Sequence, residues 1–329
     1  MSTKNTASWV AYLNQAELPV LANTLRQVQK ITQSRTSSVQ ELAEVILRDP
    51  ELTTQVLRVA NTVYYNPNIQ SISTVSRAIA LIGFDTVKSI AMTCLVIDNL
   101  FHRKAPKPLL RSMAHALHAA VQARELLTRN DSQKREEIFI AALLCNIGEL
   151  AFWSCRTPEA SELEYEQQVS DPILAQKQVL GTTFDEITLS LIDSWRLGPL
   201  LKSVVSGAFR DSDPASTIRL LCQLVRLAER GWDKPGVEDV RRQLAQTLNA
   251  DNAQLLAQLQ DNTEKTGELA RACKLDAVLP YLPLRENRNK VLEASPQRGN
   301  SNLQLQILRD LTLALCEKPR ACGHLRVRH

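Results

Sequence analysis

Five histidines, seven cysteines and a scatter of carboxylates are the residues here that could do chemistry. His115 and His118 stand three apart, so on a helix they share one face. A catalytic divalent-metal site needs about three protein ligands and an open coordination position. His102 lies in a charged stretch and His324 and His329 in a basic tail, so no third imidazole accompanies the pair. Two partly buried imidazoles, each satisfied by a hydrogen bond, are the simpler expectation. Cys145 could be a nucleophile or a redox sensor if cations lowered its pKa. It follows the apolar run Ile138-Phe139-Ile140-Ala141-Ala142-Leu143-Leu144, so a structural thiol near a helix C-terminus is expected. Asp185, Glu186 and Asp193 share one segment and read as solvated helix charges. Arg103, Lys104, Lys107 and Arg111 form a basic cluster, a candidate contact surface for an anion or simply a solvated linker. Trp195 near a helix end reads as core packing. No glycine-rich phosphate loop or Ser-His-Asp order stands out.

These residues need a scaffold, and the composition points to helices. Only 10 Gly and 14 Pro occur in 329 residues, with 44% hydrophobic and 22% charged side chains, ordinary values for a globular chain. The net charge of +4 is unevenly placed. Residues 285–329 hold nine Lys and Arg against four Asp and Glu, leaving 30 against 31 in the first 284. A balanced body argues against nucleic acid as the main ligand. The cysteines lack CxxC spacing, which fits reduced thiols in a cytoplasmic protein. The longest apolar run is far short of the ~20 residues that span a bilayer, so no membrane insertion is expected.

Helix signals follow along the chain. Leu21, Leu25, Val28 and Ile31 mark one stripe. Ser38 and Glu41 make a capping box, Asp49-Pro50 starts another helix, and Ser73 caps a short one ended by Gly83. A long apolar helix runs from Asp85 to near Phe101. Helices are then predicted at 109–129, 136–146 (closed by Gly148), 159–169, 172–180, 184–195, 199–207 and 215–230. Two polar, amphipathic ones follow near 237–248 and 252–274. No period-2 runs or Asn-Gly hairpins suggest strands. Residues 285–302 read as a linker. Leu303, Leu305, Ile307, Leu308, Leu311 and Leu315 then form an amphipathic segment that ends abruptly, as a shortened connector helix would.

Three segments together resemble the HDOD family of bacterial signalling domains. Leu18-Pro19-Val20 opens the first. The most specific is Ile46-Leu47-Arg48-Asp49-Pro50-Glu51-Leu52-Thr53-Thr54-Gln55-Val56-Leu57-Arg58-Val59-Ala60-Asn61, with Thr62 where serine is usual. The third is Ile72-Ser73-Thr74-Val75-Ser76-Arg77-Ala78-Ile79-Ala80-Leu81-Ile82-Gly83. The likeness covers roughly residues 18–230. It implies an all-α fold of two packed lobes: residues 1–105, then 106–284 as a degenerate HD-like lobe with trailing helices, with 285–329 a linker and tail helix.

The resemblance also implies where metal ligands of HD-type phosphohydrolases would fall. The first His falls on His115, the His-Asp pair on Cys145-Asn146, a later His on Phe184 ahead of Glu186, and a last His pair near Gly207-Ala208. Only His115 keeps a ligand side chain, so no metal, no cofactor and no enzymatic activity are expected. The implied function is regulatory, through protein partners in signalling. The alternative is a receptor that holds a nucleotide or cyclic dinucleotide, without hydrolysis, in the vacated pocket at His115, Cys145, Asn146, Phe184 and Glu186.

Overall fold

A computed structural model describes residues 5–15, 42–43, 46–47, 50–62, 66, 72–100, 105–127, 132–155, 157–210 and 213–285. The stripe at 21–31, the capping box at Ser38, the cap at Asp49, Arg103, Lys104 and the tail beyond 285 lie outside them. The described residues are mostly helical and contain no strand, so the fold is all-α. By its contacts the chain divides into Met1–Asn287 and Arg288–His329.

Helices α1 (Thr6–Gln15), α2 (Pro50–Ala60), α3 (Val75–Ile82) and α4 (Phe84–Leu100) come first. Leu52, Val56 and Val59 form the buried stripe of α2, at the spacing of a helix face. Asn61, just past α2, joins two of the sequence motifs. Its amide donates to the Leu57 and Ile72 carbonyls at 2.7 and 2.8 Å, and its Oδ1 accepts from the Ile72 N–H at 3.0 Å. One side chain thus satisfies backbone groups across an eleven-residue separation. Thr74, not Ser73, caps α3, accepting from the Arg77 N–H at 3.2 Å. Gly83 ends that helix at φ +92°, a region that favours glycine.

The central element is α5 (Lys107–Leu127), 15 of whose 21 residues are buried. A helix buried nearly all round must be covered on every side. Its neighbours are α6 (Ser132–Leu144), α7 (Ile147–Ser154), α12 (Pro214–Ala228), α14 (Asn252–Ala272) and a 3-10 turn at Asp276–Tyr281. Five alanines, at 114, 116, 119, 120 and 123, bring the neighbouring backbones close. The remaining helices are α8 (Glu159–Val169), α9 (Pro172–Leu180), α10 (Phe184–Trp195), α11 (Pro199–Ser206) and α13 (Val237–Leu248). Helix α1 packs on α10: the Trp9 indole donates to the Leu180 carbonyl at 2.9 Å, and the Trp195 indole to Asn14 Oδ1 at 2.8 Å.

The helix expected over 136–146 is α6, which ends at Leu144, and after a break at Cys145-Asn146 a further helix not expected from the sequence, α7, follows. Gly148 does not close a helix; it lies inside α7. A Cβ there would sit 2.6 Å from Thr188 Oγ1 and 2.9 Å from the Phe184 carbonyl oxygen, so glycine is what lets α7 press against α10. Its N–H donates to Thr188 Oγ1 at 3.1 Å.

Candidate functional site

The site is assembled where α5 meets the α6–α7 break and α12. Ser112 and His115 lie one turn apart on α5. The Asn146 amide donates to Ser112 Oγ at 2.7 Å and to the Ser112 carbonyl at 3.1 Å, tying the break to the central helix. Asn146 Oδ1 is buried with no hydrogen-bond partner. Buried His115 faces the residue that follows α12, its Nε2 lying 3.0 Å from Glu229 Oε2. Arg111, a turn earlier, donates through Nε to Glu229 Oε1 at 3.1 Å. Partial burial pushes the Glu229 carboxyl up, but the His115 hydrogen bond and the His115 and Arg111 charges outweigh it and hold it below the usual range.

Cys145 is half-buried, and its Sγ lies 3.0 Å from that of Cys222 on α12. The inert buried thiol expected there is instead one member of a pair. The helix break brings it toward the surface, where α12 supplies the partner. The hydrogen bond to Cys222, with burial, raises the Cys145 thiol. The same bond lowers Cys222, helped by the Arg226 and Arg219 charges and opposed by burial. Arg226 also binds Glu149 of α7 at 3.0 Å.

Phe184 and Glu186 serve other ends. Phe184 is buried, its ring centroid 5.5 Å from Phe152 and 6.2 Å from Trp153. Glu186 is exposed and closes a capping box at the start of α10, accepting from Thr182 Oγ1 at 2.6 Å and the Thr183 N–H at 3.0 Å. Those bonds hold its carboxyl below the usual range. Asp193 pairs with Lys202 at 2.6 Å on the surface. The described half of the basic cluster is divided. Lys107 is on the rim of an open groove of about 500 Å³ with Trp153, Thr157 and Glu164. Arg111 is engaged by Glu229 and lies over the Tyr281 ring.

His118 looks inward rather than toward Glu229. Its Nε2 lies 2.9 Å from Thr263 Oγ1 and 3.0 Å from Gln122 Nε2. Gln122 Nε2 also donates to the Leu259 carbonyl at 2.7 Å, which fixes the amide's orientation, so toward His118 it can only donate. The ring nitrogen there is therefore an unprotonated acceptor. Asn262 donates to Gln122 Oε1 at 3.0 Å, completing a buried network between α5 and α14. Burial, with the His115 charge second, lowers the His118 pKa to about 3, so the imidazole is neutral at physiological pH.

Sequence reasoning did not find Glu229, Cys222, Arg226 or the Gln122–Asn262–Thr263 network. One local signal was present: Arg219, Cys222 and Arg226 follow at i, i+3 and i+7, one face of α12. Among the described residues no three His, Cys, Asp or Glu side chains group so as to hold a metal ion. The donor set does not fit a divalent centre: one imidazole already bound to a carboxylate, a thiol paired with a thiol, an amide and a phenyl ring. Nor is any single described helix long and apolar enough to cross a membrane.

The HDOD domain model matches residues 18–208, more than half of the chain, and the protein belongs to the HDOD domain family. Solved structures share the fold. An HDOD domain protein of unknown function from Geobacter sulfurreducens superposes with a TM-score of 0.63 at 19% identity, over 74% of this chain and 91% of that one. A Shewanella amazonensis protein, provisionally named a phosphohydrolase, gives 0.59 at 21% identity, over 78% and 98%. A Marinobacter aquaeolei protein, provisionally named a signal transduction protein, gives 0.57 at 20%, over 84% and 67%. Comparison with curated protein sequences finds no match.

Proposed function

We propose that this chain is a non-catalytic regulatory protein of bacterial signalling, working in the cytoplasm through contacts with other proteins. One observation carries the reading: where the resemblance places metal ligands of HD-type phosphohydrolases, the polar side chains present are already engaged within the fold. His115 is bound by Glu229, Cys145 by Cys222, and Asn146 by Ser112, while Phe184 packs among aromatic rings. A hydrolytic site needs such groups free to grip metal and water. The name of the Marinobacter relative agrees with a signalling role.

A second feature supports protein partners. Tyr165 and Val169 on α8 and Ile173 and Leu174 on α9 are between 47% and 63% exposed, on two helices that pack together. Clustered large apolar side chains in water mark interaction surfaces.

The test uses the purified full chain. Elemental analysis should find less than one equivalent of Mn, Fe, Mg or Zn, and phosphoester and cyclic-dinucleotide substrates should show no turnover. Stoichiometric metal with hydrolysis overturns the proposal. Proteins captured from a source-cell lysate should be lost with Val169→Glu/Leu174→Glu; unchanged capture removes the role given to α8 and α9.

The receptor reading rests on one observation, the unpartnered Asn146 Oδ1, an acceptor a nucleotide amine could satisfy. Calorimetric titration with a nucleotide panel decides it: heat that Asn146→Ala abolishes supports it, and no heat rejects it.

A further inference from the structure

We propose that Cys145 and Cys222 form a reversible disulfide, which makes the α6–α7 break and α12 a site of oxidation by hydroperoxides. The inference does not depend on the protein-partner reading, since it stands on the geometry of two thiols. They are 77 residues apart in sequence, on separate helical elements, with their sulfurs 3.0 Å apart. A disulfide bond of about 2 Å requires them to close by only about 1 Å. Both are half-buried, whereas Cys94 and Cys273 are buried, so a small oxidant reaches the pair more readily than those two.

The surroundings set the order of events. Arg219 and Arg226 flank Cys222 along one face of α12, a turn before and a turn after it. Both charges favour thiolate on Cys222, whereas at Cys145 only Arg226 does so, and the hydrogen bond to Cys222 and burial oppose it. Partial burial and Asp185 oppose the thiolate, but the hydrogen bond and the two guanidinium groups prevail. Cys222 is therefore the attacking sulfur and Cys145 the resolving one.

The thiolate of Cys222 attacks one oxygen of a hydroperoxide. An S–O bond forms, the O–O bond breaks, and the departing alkoxide or hydroxide takes a proton from water, leaving Cys222 as a sulfenic acid. Cys145 sulfur then attacks the Cys222 sulfur. The S–S bond forms, the S–O bond breaks, and the leaving hydroxide carries off the Cys145 proton as water. Two thiols are oxidised by two electrons and one peroxide is reduced. A dithiol reverses the change by exchange. The bond fixes α12 to the α6–α7 break, beside the Glu149–Arg226 ion pair that spans the same two elements.

The experiment exposes the reduced full chain to a small excess of hydrogen peroxide and maps its thiols. Trypsin with a Glu-specific protease separates Cys145 from Cys155 at Glu149. Two of the seven thiols should disappear together, as one cross-linked pair containing Cys145 and Cys222, and return with dithiothreitol. In Cys145→Ser, dimedone should trap a sulfenic acid on Cys222. In Cys222→Ser, Cys145 should label more slowly than Cys222 does in Cys145→Ser; equal or faster labelling of Cys145 overturns the order of attack. The proposal fails if Cys145 and Cys222 stay free while other cysteines oxidise, or if Cys145 pairs with Cys155. Should a variant not fold, thiol mapping of the wild-type chain is sufficient to distinguish these outcomes.

Discussion

Helices α5 and α14 meet over polar side chains shut away from water, whereas α8 and α9 turn large apolar side chains into it. In the first region His118, Gln122, Asn262 and Thr263 are all buried, and they bond to one another or to the Leu259 carbonyl. In the second, α8 buries only Leu163, while Tyr165, Val169, Ile173 and Leu174 stay exposed. Each inverts the usual inside–outside rule, and such inversions are more informative than conformity. The buried polar seam answers to the fold, because each donor there must find an acceptor or forfeit desolvation energy. The exposed apolar surface answers to no such internal requirement, and the proposed contact with other proteins rests on it.

Substitutions should separate the two regions, beginning with the largest effect. Gln122→Leu strands the Asn262 amide and removes a donor from both His118 and the Leu259 carbonyl. It should cost roughly 3 kcal/mol of unfolding free energy, read as a lower urea midpoint. A loss under about 1 kcal/mol means the network is not satisfied as described.

Acid should attack the same seam. The His118 pKa of about 3 in the fold lies below the 6.5 of a free imidazole. Between those values the unfolded chain binds the extra proton, so stability falls as pH drops through that window. The limiting slope is about 1.4 kcal/mol per pH unit. Urea titrations at pH 6.5 and 4.5 should show the loss, and His118→Leu should remove this part of the slope.

Glu229→Gln keeps the shape but removes the charge that His115 and Arg111 share. It should cost about 1 kcal/mol. The Glu229 pKa is lowered in the fold, so its contribution is present above the unfolded carboxylate value and lost as pH falls through the folded one. In the variant that acid-dependent part should vanish from a thermal melt series.

The smallest effect on stability belongs to the apolar surface. Val169→Glu/Leu174→Glu should change the unfolding free energy by no more than about 0.5 kcal/mol while abolishing partner capture. A destabilised variant would mean that α8 and α9 are packed rather than presented.

Much of the fold was legible because local rules suffice for it. Gly83 ends α3 as expected, and the ranges expected at 172–180 and 184–195 match α9 and α10, whose N-caps the structure places at Asp171 and Thr183. Two helices were missed for physical reasons. In α1, Trp9, Val10 and Leu13 give only a short apolar signature, and its partner α10 lies far along the chain. In α7, Gly148 mimics a terminator, though its use is close approach to α10. The site was less legible. His115 could be placed by resemblance, but Glu229 lies 114 residues away and carries no motif. Asn262 and Thr263 sit on a helix whose composition reads as surface, and only the packing of α14 on α5 reveals them as interior.

The contact at Gly148 carries a mechanical consequence. With a backbone N–H held by Thr188 and no space for even a methyl group, α7 cannot slide along α10 without breaking that bond. The two helices should travel as one rigid body in any conformational change, and the hinge must be sought elsewhere. The Gly148 amide hydrogen should accordingly exchange with solvent no faster than the slowest amides of α10.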